Sequence, residues 1–84
     1  MKNKKNLIKQ IIYRSSHRGT KEMDILLSGF VKKIINKLND IELLKLDELL
    51  NYEDEILYKC YFEKENNELF SMNEIAKMLQ MYKI

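Results

Sequence analysis

The sequence predicts an all-α protein, a compact bundle of four to five short helices. Three observations point there. Proline is absent and glycine occurs only twice in 84 residues, so little interrupts a helical backbone. Apolar residues recur at spacings of three and four along most of the chain, the period of one helix face. No stretch alternates apolar and polar residues as a half-buried strand would, and no segment repeats.

Taking the elements in order, Lys4 to about Ser16 sets Leu7, Ile8, Ile11 and Ile12 on one face and most lysines on the other, which predicts a first amphipathic helix. Gly19 follows where a helix stop is expected, since glycine tolerates the left-handed conformation of a C-terminal cap. Thr20 is placed to cap a second helix, with Glu22 and Asp24 in a first turn where the dipole favours acids. That helix carries Met23, Leu26, Leu27, Phe30, Val31, Ile34, Ile35 and Leu38, a stripe wide enough to be covered on two sides, so it belongs at the centre. Gly29 inside it costs about 1 kcal/mol relative to alanine and implies close approach by another helix.

Asn39 with Glu42 forms a capping-box pattern and opens a third helix, from about Ile41 to Leu50, burying some combination of Leu43, Leu44, Leu46, Leu49 and Leu50. Asn51-Tyr52 breaks it. Asp54 can cap a short fourth helix through Ile56, Leu57, Tyr58, Cys60 and Tyr61. The polar run Glu63 to Glu68 reads as a loop, and Ser71 with Glu74 as a second capping box. A last helix then shows Ile75, Met78, Leu79 and Tyr82 on one face.

Composition bounds function. Hydrophobic residues make up 45% and charged residues 33%, a globular balance with room for a single domain over 1–84. A core of this size leaves only a few kcal/mol of net stability. It has no space for a buried catalytic cavity on the order of 300 Å³ or more. One cysteine excludes an internal disulfide and suits a reducing compartment. The longest apolar run falls far short of the ~20 residues that span a bilayer. Residues 1–21 carry +7 and the remainder −5. That polarity can steer the basic end toward an acidic partner, a nucleic acid or an anionic surface. The sequence leaves open whether residues 1–5 are ordered, a disordered basic start being one reading of them. The acid-free start has the look of a transit peptide, but it runs into the next element without a cleavage-like break.

Catalysis finds little support. The one histidine, His17, and the one cysteine, Cys60, lie on different predicted helices, and Cys60 sits on an apolar face. Two such residues do not make a metal site, and no glycine-rich phosphate loop is present. Glu22 and Asp24 stand two apart on a helix and point in different directions, a poor acid–base pair. The expectation is no catalytic residue, no metal and no cofactor of its own. The basic start leaves a second reading open, a small nucleic-acid-binding or regulatory helical domain, although no helix-turn-helix frame accompanies it.

What remains is the junction around Gly19, where His17, Arg18, Lys21, Glu22 and Asp24 concentrate both signs of charge. It reads two ways. Gly19 and Glu22 can serve as caps, with Arg18 paired to Glu22. Alternatively the glycine lets a partner approach the backbone closely, with Arg18 offering a planar fork of donors and Glu22 an acceptor.

The order of residues His17-Arg18-Gly19-Thr20-Lys21-Glu22-Met23-Asp24-Ile25-Leu26-Leu27, followed by Phe30, resembles the signature of the succinate dehydrogenase assembly factor family. The hallmark is RGxxE, here Arg18, Gly19 and Glu22, then an acid and an apolar helix. The likeness continues more loosely through Leu49-Leu50, Asp54 and Leu57, covering about residues 10–61. It departs at Cys60, where many relatives carry a tryptophan. The resemblance implies a five-helix bundle that binds the flavoprotein subunit of succinate dehydrogenase, or of fumarate reductase, and promotes its covalent flavinylation. FAD is then carried by the partner, whose own histidine forms the bond, and the factor acts as a chaperone and not as an enzyme. It further implies partner-binding by Arg18, Gly19 and Glu22, extended by His17 and Asp24. A bacterial cytoplasmic monomer is expected, engaging neither nucleic acid nor membrane.

Overall fold

The computed structural model describes residues 4–65, 68 and 72–83. Among them, every regular element is helical: α1 Lys4–Ser15, α2 Lys21–Ile34, α3 Asp40–Leu49, α4 Asp54–Phe62 and α5 Glu74–Met81, with a 3₁₀ turn, Ile35–Lys37, closing α2. α1 packs on α2 and α3, and α5 packs on α3 and α4. The radius of gyration is 11.9 Å, which matches a single packed domain of this length (about 12 Å). No helix of the described residues is long and apolar enough to cross a membrane.

The wide stripe of α2 is the centre of the core. Met23, Leu26, Leu27, Phe30, Val31, Ile34, Ile35 and Leu38 are all buried, against Ile11 of α1, Leu43, Leu46 and Leu49 of α3, Leu57 and Cys60 of α4, and Ile75, Ala76 and Leu79 of α5. Leu44 is left out, half-exposed on the far side of α3. Thr20 caps α2 by accepting the Met23 N–H at 3.3 Å. The Asn39–Glu42 capping box is formed in both directions, at 2.8 and 2.9 Å.

Lys4 and Lys5 form the first turn of α1, the start expected for that helix, and Lys4 lies 3.4 Å from Asp40; residues 1–3 lie outside the described residues. Several expectations are corrected. Gly19 does not take a left-handed conformation, since no glycine here has positive φ; its reason lies in the site described below. Gly29 is approached not by a helix but by one side chain. A Cβ there would stand 2.6 Å from Tyr82 Oη, because the chain leaving α5 lays that ring over α2 and edge-on to Phe30.

Asp54 does not cap α4. The cap position is Glu53, without a side-chain bond, and the Asp54 carboxylate is engaged elsewhere. Ser71 lies outside the described residues, and the cap of α5 is Asn73. Buried Asn73 accepts from the Ile75 and Ala76 N–H groups and donates to the Lys45 carbonyl at 2.9 Å, so it joins α5 to α3 as well as starting it. In the expected loop, residues 63–65 do leave the helix, with Lys64 at φ 54, whereas Glu68 is helical.

Candidate docking turn

α1 ends at Ser15 and α2 begins at Lys21, so residues 16–20 must reverse the chain within five positions. A turn this tight exposes backbone N–H groups that no helix satisfies. Here two carboxylates satisfy them in succession. The Arg18 N–H donates to Asp24 Oδ1, from the first turn of α2, and the Gly19 N–H donates to Asp54 Oδ2 at 2.7 Å, from the first turn of α4. Asp54 Oδ2 comes so close that a Cβ on residue 19 would sit 3.0 Å from it. Any side chain there would press on that carboxylate, so glycine suits the close approach and not an unusual backbone angle.

The Arg18 guanidinium turns inward, where a partner-facing fork was expected. Its side chain is 11% exposed. Nε donates to Asp54 Oδ1 at 2.7 Å, Nη1 to the Leu50 carbonyl at 2.9 Å and Nη2 to the Tyr52 carbonyl at 2.8 Å. The cause is the C-terminal end of α3. That helix has no basic residue in its own last turn, and carbonyls there lack helical partners and carry the negative end of the dipole. Arg18 supplies the missing cation from across the bundle. One turn earlier in α1, Arg14 bonds the side chains of Asp47 and Asn51 near the same helix end.

Of the anticipated site residues, His17, Gly19 and Glu22 are exposed. His17 Nδ1 donates to the Tyr13 carbonyl at 2.7 Å, with its ring stacked 3.8 Å from that of Tyr13. Glu22 makes no hydrogen bond or ion pair with any described residue, so the alternative of an Arg18–Glu22 pair is not formed; Asp54 orients the arginine instead. Asp24 is half-buried and occupied with the turn. Arg18, Gly19 and Asp24 thus meet in one network, from which Glu22 and His17 stand apart. Sequence reasoning missed Asp54, Leu50 and Tyr52 as parts of it. A signal existed, because the family likeness ran through Leu49-Leu50 and Asp54. The described residues include no group of three or more His, Cys, Asp or Glu placed to hold a metal.

Fold and turn together define a small all-α protein displaying a rigid, charged surface turn at one end of its central helix. Comparison with known proteins resolves the class. Residues 9–83 match the family described as "Flavinator of succinate dehydrogenase", and the chain belongs to that family. It is 40% identical over 80 residues to succinate dehydrogenase assembly factor 2, mitochondrial, of Schizosaccharomyces japonicus, covering 93% of this chain and 55% of that protein. It is 47% identical over 49 residues to the protein of the same name from Saccharomyces cerevisiae, covering 58% of this chain and 30% of that one. To the FAD assembly factor SdhE of Wigglesworthia glossinidia brevipalpis it is 32% identical over 72 residues, covering 82% of this chain and 86% of that protein. The chain spans about half the length of the first yeast relative it matches.

Proposed function

We propose that this protein is an assembly factor that binds the flavoprotein subunit of succinate dehydrogenase, or of fumarate reductase, and promotes covalent attachment of FAD to it. The observation that carries the reading is the turn bearing the family's motif, pre-formed in the free chain and displaying Gly19, Glu22 and His17. A surface that needs no ordering on contact loses less entropy when it binds. Promotion of flavinylation then requires only that the protein bind one conformation of the flavoprotein more tightly than the others, because a ligand shifts an equilibrium by its differential affinity. No catalytic residue of its own enters this scheme, and FAD stays with the partner. The docking surface is the turn that His17, Arg18, Gly19, Glu22 and Asp24 build together, with His17, Gly19 and Glu22 facing outward and Glu22 positioned to accept a donor from the flavoprotein. The chain acts as a monomer in the bacterial cytoplasm, a compartment in keeping with its single cysteine.

The nucleic-acid reading is weakened by the internal pairing of part of the basic start. Three of the basic residues in the first 21 are already neutralised within the chain, by Lys4–Asp40, Arg14–Asp47 and Arg18–Asp54 pairs.

Co-expression with the flavoprotein subunit and in-gel flavin fluorescence tests the proposal. Covalent flavin is expected to rise with the wild-type chain, and to fall back with Glu22→Ala or Gly19→Arg while circular dichroism stays helical. Fluorescence that is the same with and without the wild-type chain would defeat it.

A further inference from the structure

One carboxylate accounts for two of the three motif residues. Asp54 takes the Arg18 Nε–H on Oδ1 and the Gly19 N–H on Oδ2, each at 2.7 Å, and its Oδ2 would stand 3.0 Å from a Cβ at position 19. All three guanidinium nitrogens of Arg18 are committed inside the chain, to Asp54, Leu50 and Tyr52. A bidentate grip on an outside carboxylate needs two parallel N–H donors facing it. With the side chain 11% exposed, that fork is not presented. The arginine is therefore poorly placed to touch anything beyond its own domain.

We propose that Asp54 is a positioning residue for the docking turn and that Arg18 acts through it, neither one contacting the partner. Arg18 holds the Asp54 carboxylate in place. That carboxylate holds the Gly19 backbone, and the backbone sets how His17, Lys21 and Glu22 face outward. Asp24 secures the preceding amide in the same way. Without Asp54, the Gly19 N–H turns to water and the turn samples other conformations. Affinity then falls by the fraction of molecules that still hold the competent one. The inference rests on the docking role proposed above and deepens it: the motif divides into residues that shape the turn and residues that meet the flavoprotein.

A double-mutant cycle on binding to the purified flavoprotein subunit tests it, using the full chain, Arg18→Ala, Asp54→Asn and the double variant. Asp47→Asn serves as control, since it removes the carboxylate paired with Arg14 without touching the turn. Each single change at the turn should weaken binding about tenfold, as expected if about one molecule in ten keeps the competent turn. The double variant should lie within about twofold of the weaker single one, and the control within about twofold of wild type. In the free Asp54→Asn chain, the Gly19 amide proton should shift upfield as its carboxylate acceptor is lost. Should Arg18→Ala leave an unfolded chain by circular dichroism, Arg18→Lys, which keeps the charge but not the fork, takes its place in the cycle.

Additive losses from Arg18 and Asp54 would show the arginine touching the partner directly and overturn the proposal. So would an equal loss from the control, which would reduce the effect to stability alone. If the wild-type chain does not bind, the docking role itself falls. If it binds and the losses add, only the division of labour does.

Discussion

Arg18 contributes twice to the free chain, as a brace and as the counter-charge to α3. A charge-assisted hydrogen bond contributes about 1.5–3 kcal/mol. Asp54 sits 36 positions from Arg18, so no local pattern joins them, and sequence reasoning instead matched Asp54 to the nearest vacancy, a helix cap. Cys60 was legible as a buried thiol from its apolar surroundings, and the structure makes it 1% exposed. Burial first, and the nearby Glu65 second, push that thiol above its usual 9.0. The neutral thiol is favoured in the fold, so its stabilising share is intact below the unfolded value and is lost as pH climbs through it toward the raised folded one. Between pH 8 and 10 the melting temperature should therefore fall more steeply for wild type than for Cys60→Ala. Equal slopes would show the thiol titrating alike in both states.

At the scale of elements, Gly29 and Tyr82 form a matched pair. Glycine inside α2 forgoes about 1 kcal/mol of helix propensity relative to alanine, and in return the Tyr82 ring reaches Phe30 with Lys33 5.6 Å from its centroid. Gly29→Ala alone should destabilise, since the tyrosine must swing away from a contact that would be 2.6 Å. In a Tyr82→Ala background the same change should stabilise by about 1 kcal/mol, read from urea midpoints. A loss in both backgrounds would point to a different constraint at position 29.

The existence and type of the helices were readable because their stripes keep the 3.6 period, and Thr20 and Asn39 were readable as caps because their partners lie three residues on. Asn73 was not. Ser71 with Glu74 offered the better local pattern, while Asn73 is selected by its reach to Lys45, a contact 28 residues distant that spacing cannot reveal. Gly19 was correctly singled out but for a backbone angle it does not adopt. The close approach that favours it arrives from another helix.

Across the described residues, the charge segregation visible along the chain is partly folded away, into the Lys4–Asp40, Arg14–Asp47 and Arg18–Asp54 pairs. Lys5, Lys9 and Lys21 are the lysines of residues 4–21 that form no ion pair with a described residue. Counter-ion release by three such charges implies a slope of about −3 in log affinity against log salt for any residual nucleic-acid binding. Filter binding at several salt concentrations checks this, and a slope of six or more would mean that the internal pairs open on contact. At the candidate surface the fold added what the chain order could not. The motif announced the place, while the assignment of inward and outward residues depended on contacts between α1, α3 and α4.

The bend between α3 and α4 has a consequence for how such a chain can vary. Arg18 grips it at three points, the Leu50 and Tyr52 carbonyls and the Asp54 carboxylate, so the guanidinium works as a gauge of that connection's length. Each added residue can move the following atoms by up to about 3.5 Å, more than a rigid planar group can follow. Surface connections ordinarily absorb insertions with little penalty. This one should not, and a single alanine inserted between Tyr52 and Glu53 would unfasten the turn from a distance without altering any residue of the motif.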